Sequence, residues 1–172
     1  MQDKIKDKVK FYPDFPKPGV TFMDLFSLTS DPVFFGEVNE ETANLLKQEA
    51  GEFTIIVGLE SRGFIQGPIL AQKFGVPFVP IRKAGKLPGE VYSVSYGTEY
   101  SQDKCEIQKD SLKAGDKVLI VDDLLATGGT LKAAEDLIKN IEGVTVSANF
   151  CLFEIPALKG REKLSSKTIS IV

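Results

Sequence analysis

The chain of 172 residues predicts an α/β fold, a single domain in which a mostly parallel, twisted sheet is flanked by helices. Three observations carry that prediction. Short apolar runs rich in β-branched residues recur along the chain, the form taken by strands covered on both faces. Segments of helical character alternate with them, the signature of parallel strands joined by crossover helices. The strongest run, Val118-Leu119-Ile120-Val121, passes directly into Asp122-Asp123-Leu124-Leu125-Ala126-Thr127-Gly128-Gly129-Thr130. Two acids and a glycine turn therefore stand at the carboxyl end of a strand, where open α/β sheets bind ligands.

The elements follow in order. Residues 2–10 suit a short charged surface helix with Ile5 and Val9 on one face. Residues 11–19 hold Pro13, Pro16 and Pro18 and read as an ordered loop. Ser30 or Asp31 ahead of Pro32 is an N-cap signal that opens a helix to about residue 49. A strand at 54–58, a helix at 63–74 and a strand at 76–81 come next. Residues 82–89 are basic and carry Gly85, Pro88 and Gly89, the composition of a mobile segment. Strands at 91–96 and 105–108 bracket 97–104. A strand at 117–121, a helix at 130–141, a strand at 145–153, a short helix at 157–164 and a strand at 168–171 complete the chain.

Composition narrows the function. Hydrophobic residues make up 42% and charged residues 26%, ordinary for a soluble globular protein, and no apolar run approaches the ~20 residues that span a bilayer. The amino terminus alternates charge and lacks a signal core, so a cytoplasmic location is expected and no membrane partner. A net charge of −3 argues against nucleic acid as a partner. Cys105 and Cys151 have no metal-ligand spacing and read as free thiols. The chain has no histidine. That excludes Ser-His-Asp and Cys-His nucleophile systems and leaves proton transfer to carboxylates, lysine, tyrosine or substrate.

Three constellations could meet on one edge of the sheet. The turn Ala126, Thr127, Gly128, Gly129 and Thr130 offers backbone N–H groups at a helix start, which suits a phosphate monoester, while Asp122 and Asp123 suit sugar hydroxyls or positive charge. A capped helix alone would not need two preceding acids and two glycines. Glu60-Ser61-Arg62-Gly63 occupies the corresponding turn after another strand, and Arg62 could fork onto a second phosphate; its plainer reading is a surface arginine. Arg82, Lys83 and Lys86 form a basic loop, either a solvated face or a lid over an anion. Together they point to a phosphorylated sugar carrying a second phosphate group. Neither G-x-x-x-x-G-K-[ST] nor G-x-G-x-x-G after a strand occurs.

V-L-I-V-D-D-L-L-A-T-G-G-T resembles the phosphoribosyl-pyrophosphate motif of the type I phosphoribosyltransferases. F-Y-P-D-F-P-K-P-G-V-T-F-M-D, G-L-E-S-R-G-F, I-R-K-A-G-K-L-P-G, E-Y, E-I-Q-K-D and L-K-G-R-E-K-L resemble successive landmarks of the adenine phosphoribosyltransferase family, in order from Phe11 to Leu164. The resemblance implies the type I phosphoribosyltransferase fold over 1–172, with a small N-terminal base-recognition hood at 1–30 and a flexible catalytic loop at 83–104. It implies transfer of 5-phosphoribose from phosphoribosyl pyrophosphate to adenine, giving AMP and pyrophosphate, in purine salvage with Mg2+ and in a homodimer. Ala126 to Thr130 would hold the 5-phosphate. Arg62, Arg82, Lys83, Lys86 and Tyr100 would serve pyrophosphate, some from a dimer partner. Thr21, Phe22, Met23 and Leu124 would recognise adenine. Catalysis would fall to Glu99, at adenine N7, with Asp122, Asp123 and Arg62. No direct protein ligand to the metal is implied, only Asp122 or Asp123 through water. Met23 and Ala84 stand where many relatives carry arginine. The alternatives are a phosphoribosyltransferase for hypoxanthine/guanine, xanthine or orotate, and a non-catalytic regulator that binds phosphoribosyl pyrophosphate.

Overall fold

The computed structural model describes residues 1–15, 18–19, 21–98 and 101–172. Its centre is a seven-stranded sheet built from β3 (Ile55–Leu59), β4 (Phe78–Lys83), β5 (Val91–Thr98), β6 (Ser101–Gln108), β7 (Lys117–Leu125), β8 (Thr145–Glu154) and β9 (Lys167–Ser170) in the order β5-β6-β4-β3-β7-β8-β9. Neighbours from β4 to β9 are parallel, whereas β6 is antiparallel to both β4 and β5.

Two helical layers cover the sheet. Ile55, Val57, Leu59, Val118 and Ile120 pack with Leu131, Ala134, Leu137 and Ile138 of α5 (Gly129–Lys139). The alternate residues Ile56, Leu119 and Val121 pack on the other face with Leu46 and Leu70, from α3 (Pro32–Glu49) and α4 (Gly63–Phe74). β3 is buried at every position, as a doubly covered parallel strand must be. A third cluster joins α1 (Gln2–Lys8) through Ile5, and then Val9, to Leu25, Leu28, Val38 and Phe153. α1 is thus anchored at its apolar face as well as capping the surface.

Phe78 shows how closely the layers fit. Its ring lies where a Cβ on Gly58 or on Gly67 would stand, 2.6 Å away in both cases. Gly67→Ala in a helix ordinarily stabilises, but here it is expected to cost about 1–3 kcal/mol by overpacking. A denaturation midpoint that rises instead would show that the ring yields.

The N-cap of α3 is Asp31, whose carboxylate accepts the Phe34 N–H at 3.0 Å, as Asp31-Pro32 indicates. Other expectations need revision. The 11–19 loop begins as a strand: β1 (Lys10–Tyr12) pairs antiparallel with β2 (Phe22–Asp24), and α2 (Phe26–Thr29) follows. The helix expected at 157–164 is instead two 3-10 turns, Pro156–Leu158 and Gly160–Lys163, separated by Lys159 at φ 52°. Strand β7 continues through both acids to Leu125. β4 runs on to Lys83, and β5 and β6 extend to Thr98 and Ser101, so much of the 83–104 segment is strand ladder. The reason is a period of two: Tyr92, Val94 and Tyr96 pack against the core while Ser93 and Ser95 face outward.

Candidate active site

The parallel register brings the carboxyl ends of β3, β4 and β7 together, with Leu59 opposite Ile81 and Gly58 opposite Val121. A cleft of about 750 Å³ opens there, walled by Phe22, Phe26, Glu60, Ser61, Arg62, Lys83, Asp122, Asp123, Leu124, Ala126 and Thr130. Beside it a nook of about 70 Å³ is enclosed by residues 124–131. Gly128 shapes this nook: its φ of 78° favours glycine, and a Cβ there would lie 2.4 Å from the Gly160 carbonyl oxygen. α5 begins immediately afterwards, so free N–H groups and the positive end of its dipole face the turn.

Asp123 is buried and paired: Arg62 Nε lies 2.8 Å from its Oδ2. The Arg62 guanidinium also lies 5.2 Å from the centre of the Phe22 ring, a stacking contact that orients the fork. Arg62 is therefore part of the acid site as well as a candidate anion ligand. The Asp123 N–H donates to Asp122 Oδ1 at 2.9 Å. Burial, and then the charge of Asp123, push the Asp122 carboxyl well above its usual range. Burial also raises Asp123, but Arg62 pulls it back.

This raised carboxyl has a consequence for stability. Between the ordinary value of 3.8 and its higher folded value, native Asp122 retains a proton that the unfolded chain has lost. Ionisation above that window costs stability, and the cost vanishes below it. Asp122→Asn is therefore expected to raise Tm at pH 8, with the gain fading as pH falls and small near pH 4, while activity drops. Melting curves at the two pH values check this; an equal gain at both would mean that charge burial is not its origin.

The basic residues divide. Lys83 lines the cleft, and Arg82 and Lys86 are absent from its wall. Arg82 forks onto Glu60 at 2.9 Å and 3.3 Å and donates to the Lys86 carbonyl at 3.0 Å. The Lys83 N–H adds a further bond to Glu60 at 2.9 Å, the Ala84 N–H bonds to the Lys104 carbonyl at 2.9 Å, and Gly85 N–H bonds to Glu106 at 2.9 Å. The 82–86 turn is thus tied to neighbouring strands, and Ala84 contributes its backbone. Arg82 in turn holds the Glu60 carboxyl below its usual range.

Phe22 and Leu124 also line the cleft, and Phe15 meets Phe22 edge to face at 5.3 Å. Thr21 is exposed. Met23 turns away and packs against the third core cluster, so the departure from arginine changes that packing rather than the cleft surface. Glu99 and Tyr100 lie outside the described residues. Further residues, to which the sequence assigned no individual role, belong to the site. Phe26 lines the cleft while 56% exposed, and its only signal in the sequence is an aromatic just past the 11–24 segment. Glu60 and Ser61 line it too, flanking Arg62 in the G-L-E-S-R-G-F motif. Gly160 touches the nook from 32 residues beyond Gly128, a proximity without any local signal.

The comparisons with known proteins agree with this geometry. A family model for the phosphoribosyl transferase domain matches residues 27–160. An adenine phosphoribosyltransferase of Francisella tularensis subsp. tularensis (strain WY96-3418) is 47% identical over 168 residues, 98% of this chain and 95% of the relative. The solved adenine phosphoribosyltransferase of Thermoanaerobacter pseudethanolicus ATCC 33223 superposes with a TM-score of 0.94 at 41% identity, covering 99% of this chain and 98% of that one. That of Saccharomyces cerevisiae, complexed with D-2,5-dideoxy-2,5-imino-altritol 1,6-bisphosphate and adenine, gives 0.93 at 39% identity over 99% and 98%. With its nook, acid pair and aromatic wall on a type I phosphoribosyltransferase sheet, the chain belongs to the adenine phosphoribosyltransferase family.

Proposed function

We propose that the cleft transfers the 5-phosphoribosyl group of phosphoribosyl pyrophosphate to N9 of adenine, yielding AMP and pyrophosphate for purine salvage. The observation that carries this reading is the meeting of three surfaces: a phosphate-sized nook that shares Leu124, Ala126 and Thr130 with the cleft, two carboxyls, and the aromatic rings of Phe22 and Phe26. The 5-phosphate would sit against Ala126 to Thr130, the ribose against Asp122 and Asp123, and adenine between Phe22 and Leu124 with backbone contacts from 21–23. The yeast relative's complex with adenine and an imino-altritol bisphosphate supports a base and a phosphorylated ring as the occupants.

Departure of pyrophosphate leaves oxocarbenium-like charge on the ribose. Catalysis then rests on preorganised negative charge beside the sugar and cations around the leaving group. Lys83 faces the cleft for that purpose, while Arg82 and Lys86 would serve from their tied turn, including across a homodimer interface. Glu99 would exchange the proton at adenine N7, with Tyr100 beside it at the pyrophosphate. Among the described residues no cluster of three or more acids, cysteines or histidines could cage a metal. Two adjacent carboxyls do fit Mg2+ that arrives with the substrate phosphates and keeps its waters, with Asp122 or Asp123 as partner through water. When bound, the metal would neutralise the departing pyrophosphate.

No described helix is long and apolar enough to cross a membrane. The cytoplasmic location in our reading rests on the alternating charges of residues 3–8. A panel of adenine, hypoxanthine, guanine, xanthine and orotate with labelled phosphoribosyl pyrophosphate tests the base. Adenine should be the preferred acceptor, and preference for another base would reassign it.

A further inference from the structure

We propose that residues 159–166 are a brace that fixes the shape of the sugar-phosphate nook, with Gly160, Arg161 and Glu135 as positioning residues. This rests on the reading of residues 126–130 as the 5-phosphate site. The L-K-G-R-E-K segment has no role in the reaction as described, yet it meets the nook backbone to backbone. A Cβ on Gly160 would stand 2.2 Å from the Ala126 carbonyl oxygen and 2.8 Å from the Gly128 nitrogen. Conversely, a Cβ on Gly128 would stand 2.4 Å from the Gly160 oxygen. Two glycines therefore press together behind the turn whose N–H groups would face the phosphate.

The brace is tied to both elements from which that turn emerges. On the strand side, Arg161 forks onto Glu154, with Nε 3.0 Å from Oε1 and Nη2 on Oε2. It also donates to the Thr168 carbonyl and, at 3.1 Å, to Ser170 Oγ. Glu154 pairs in register with Leu125 at the end of β7, and the Ile155 N–H donates to the Leu125 carbonyl at 2.9 Å. On the helix side, Glu135 of α5 is fully buried and accepts the N–H groups of Ser165 and Ser166, each at 2.9 Å, and Asn149 Nδ2 at 2.8 Å. A carboxylate in that position is costly unless fully bonded, whereas a bonded one fixes a single arrangement. Turn, strand end and helix start are thereby held as one unit.

The test compares the full-length wild type with Gly160→Ala, Arg161→Ala and Arg161→Lys. Ribose 5-phosphate affinity is measured by calorimetry, and the KM for adenine is measured at saturating phosphoribosyl pyrophosphate. Gly160→Ala should weaken ribose 5-phosphate about tenfold or more, with the adenine KM within about twofold. Arg161→Ala, which removes no atom of the nook itself, should show the same split at about threefold or more, and Lys should recover part of it. If Gly160→Ala does not fold, the Arg161 pair decides. Undiminished ribose 5-phosphate binding, or equal losses in both readouts, would overturn the brace. A wild type that does not bind ribose 5-phosphate would overturn the functional reading beneath it, which is a distinguishable failure.

Discussion

Asp123→Asn is expected to lower kcat/KM by about 10- to 150-fold, the loss of roughly 1.5–3 kcal/mol of transition-state stabilisation that a hydrogen bond to a charged group supplies. The carboxylate has two tasks. In the proposed mechanism it supplies negative charge beside the sugar, and it holds Arg62, whose Nε lies 2.8 Å away, over the Phe22 ring. The amide is nearly isosteric but neutral, so both weaken without a change of shape. The two tasks separate in a double-mutant cycle: Arg62→Ala should cost markedly less in the Asp123→Asn background than in the wild type. Strictly additive losses would leave Arg62 acting independently of Asp123. Unchanged kinetics in a correctly folded Asp123→Asn protein would remove the acid from the mechanism.

Glu99→Gln is expected to reduce kcat by about 100-fold or more, within the range contributed by general acid–base groups. The chain has no histidine to take over proton transfer at the base. A carboxamide keeps the volume and one acceptor oxygen but cannot hold the proton. Since the proposed site binds pyrophosphate and the 5-phosphate through other groups, affinity for phosphoribosyl pyrophosphate should stay within about threefold. Steady-state kinetics with direct binding of phosphoribosyl pyrophosphate distinguishes the possibilities. Equal losses in kcat and affinity would make Glu99 a structural residue of its segment.

Much of this site is legible in the amino-acid sequence, for reasons that differ by residue. The 118–130 run is readable because strand, acids and glycine turn are contiguous, and contiguous signals survive folding. Asp31-Pro32 and the start of α4 at Gly63 are readable because capping and propensity act locally. The Glu60–Arg82 fork is not, because it depends on the register that sets Leu59 beside Ile81, and periodicity gives a strand's faces but not its partner's register. Likewise Arg62 reads as an anion ligand from its position at a strand end, whereas its pairing with Asp123 depends on β3 and β7 being neighbours. The β1–β2 ribbon is hidden by its prolines and its three-residue strands. Tyr92, Val94 and Tyr96 carry a readable alternation, and the strand expected at 91–96 forms, running on to Thr98. Gly160 illustrates the limit: its contact with Gly128 arises from the tertiary path alone.

The two halves of the site differ in the same way. The proposed sugar-phosphate half is compact, formed by one turn and its buried support. The proposed pyrophosphate half would draw on Arg62 and the tied 82–86 turn, and both Arg62 and Arg82 are committed to protein partners. In that reading substrate must compete for some of those groups. Charge–charge bonds to pyrophosphate are stronger than those to a backbone carbonyl, such as the Arg82–Lys86 contact, and can replace them.

The most direct measurement is incubation of the purified protein with adenine, phosphoribosyl pyrophosphate and Mg2+, with AMP and pyrophosphate quantified together. Equimolar appearance of AMP and pyrophosphate, dependent on all three additions, is the expected result. Binding of phosphoribosyl pyrophosphate without either product would contradict it and would make this chain a sensor built on the same fold.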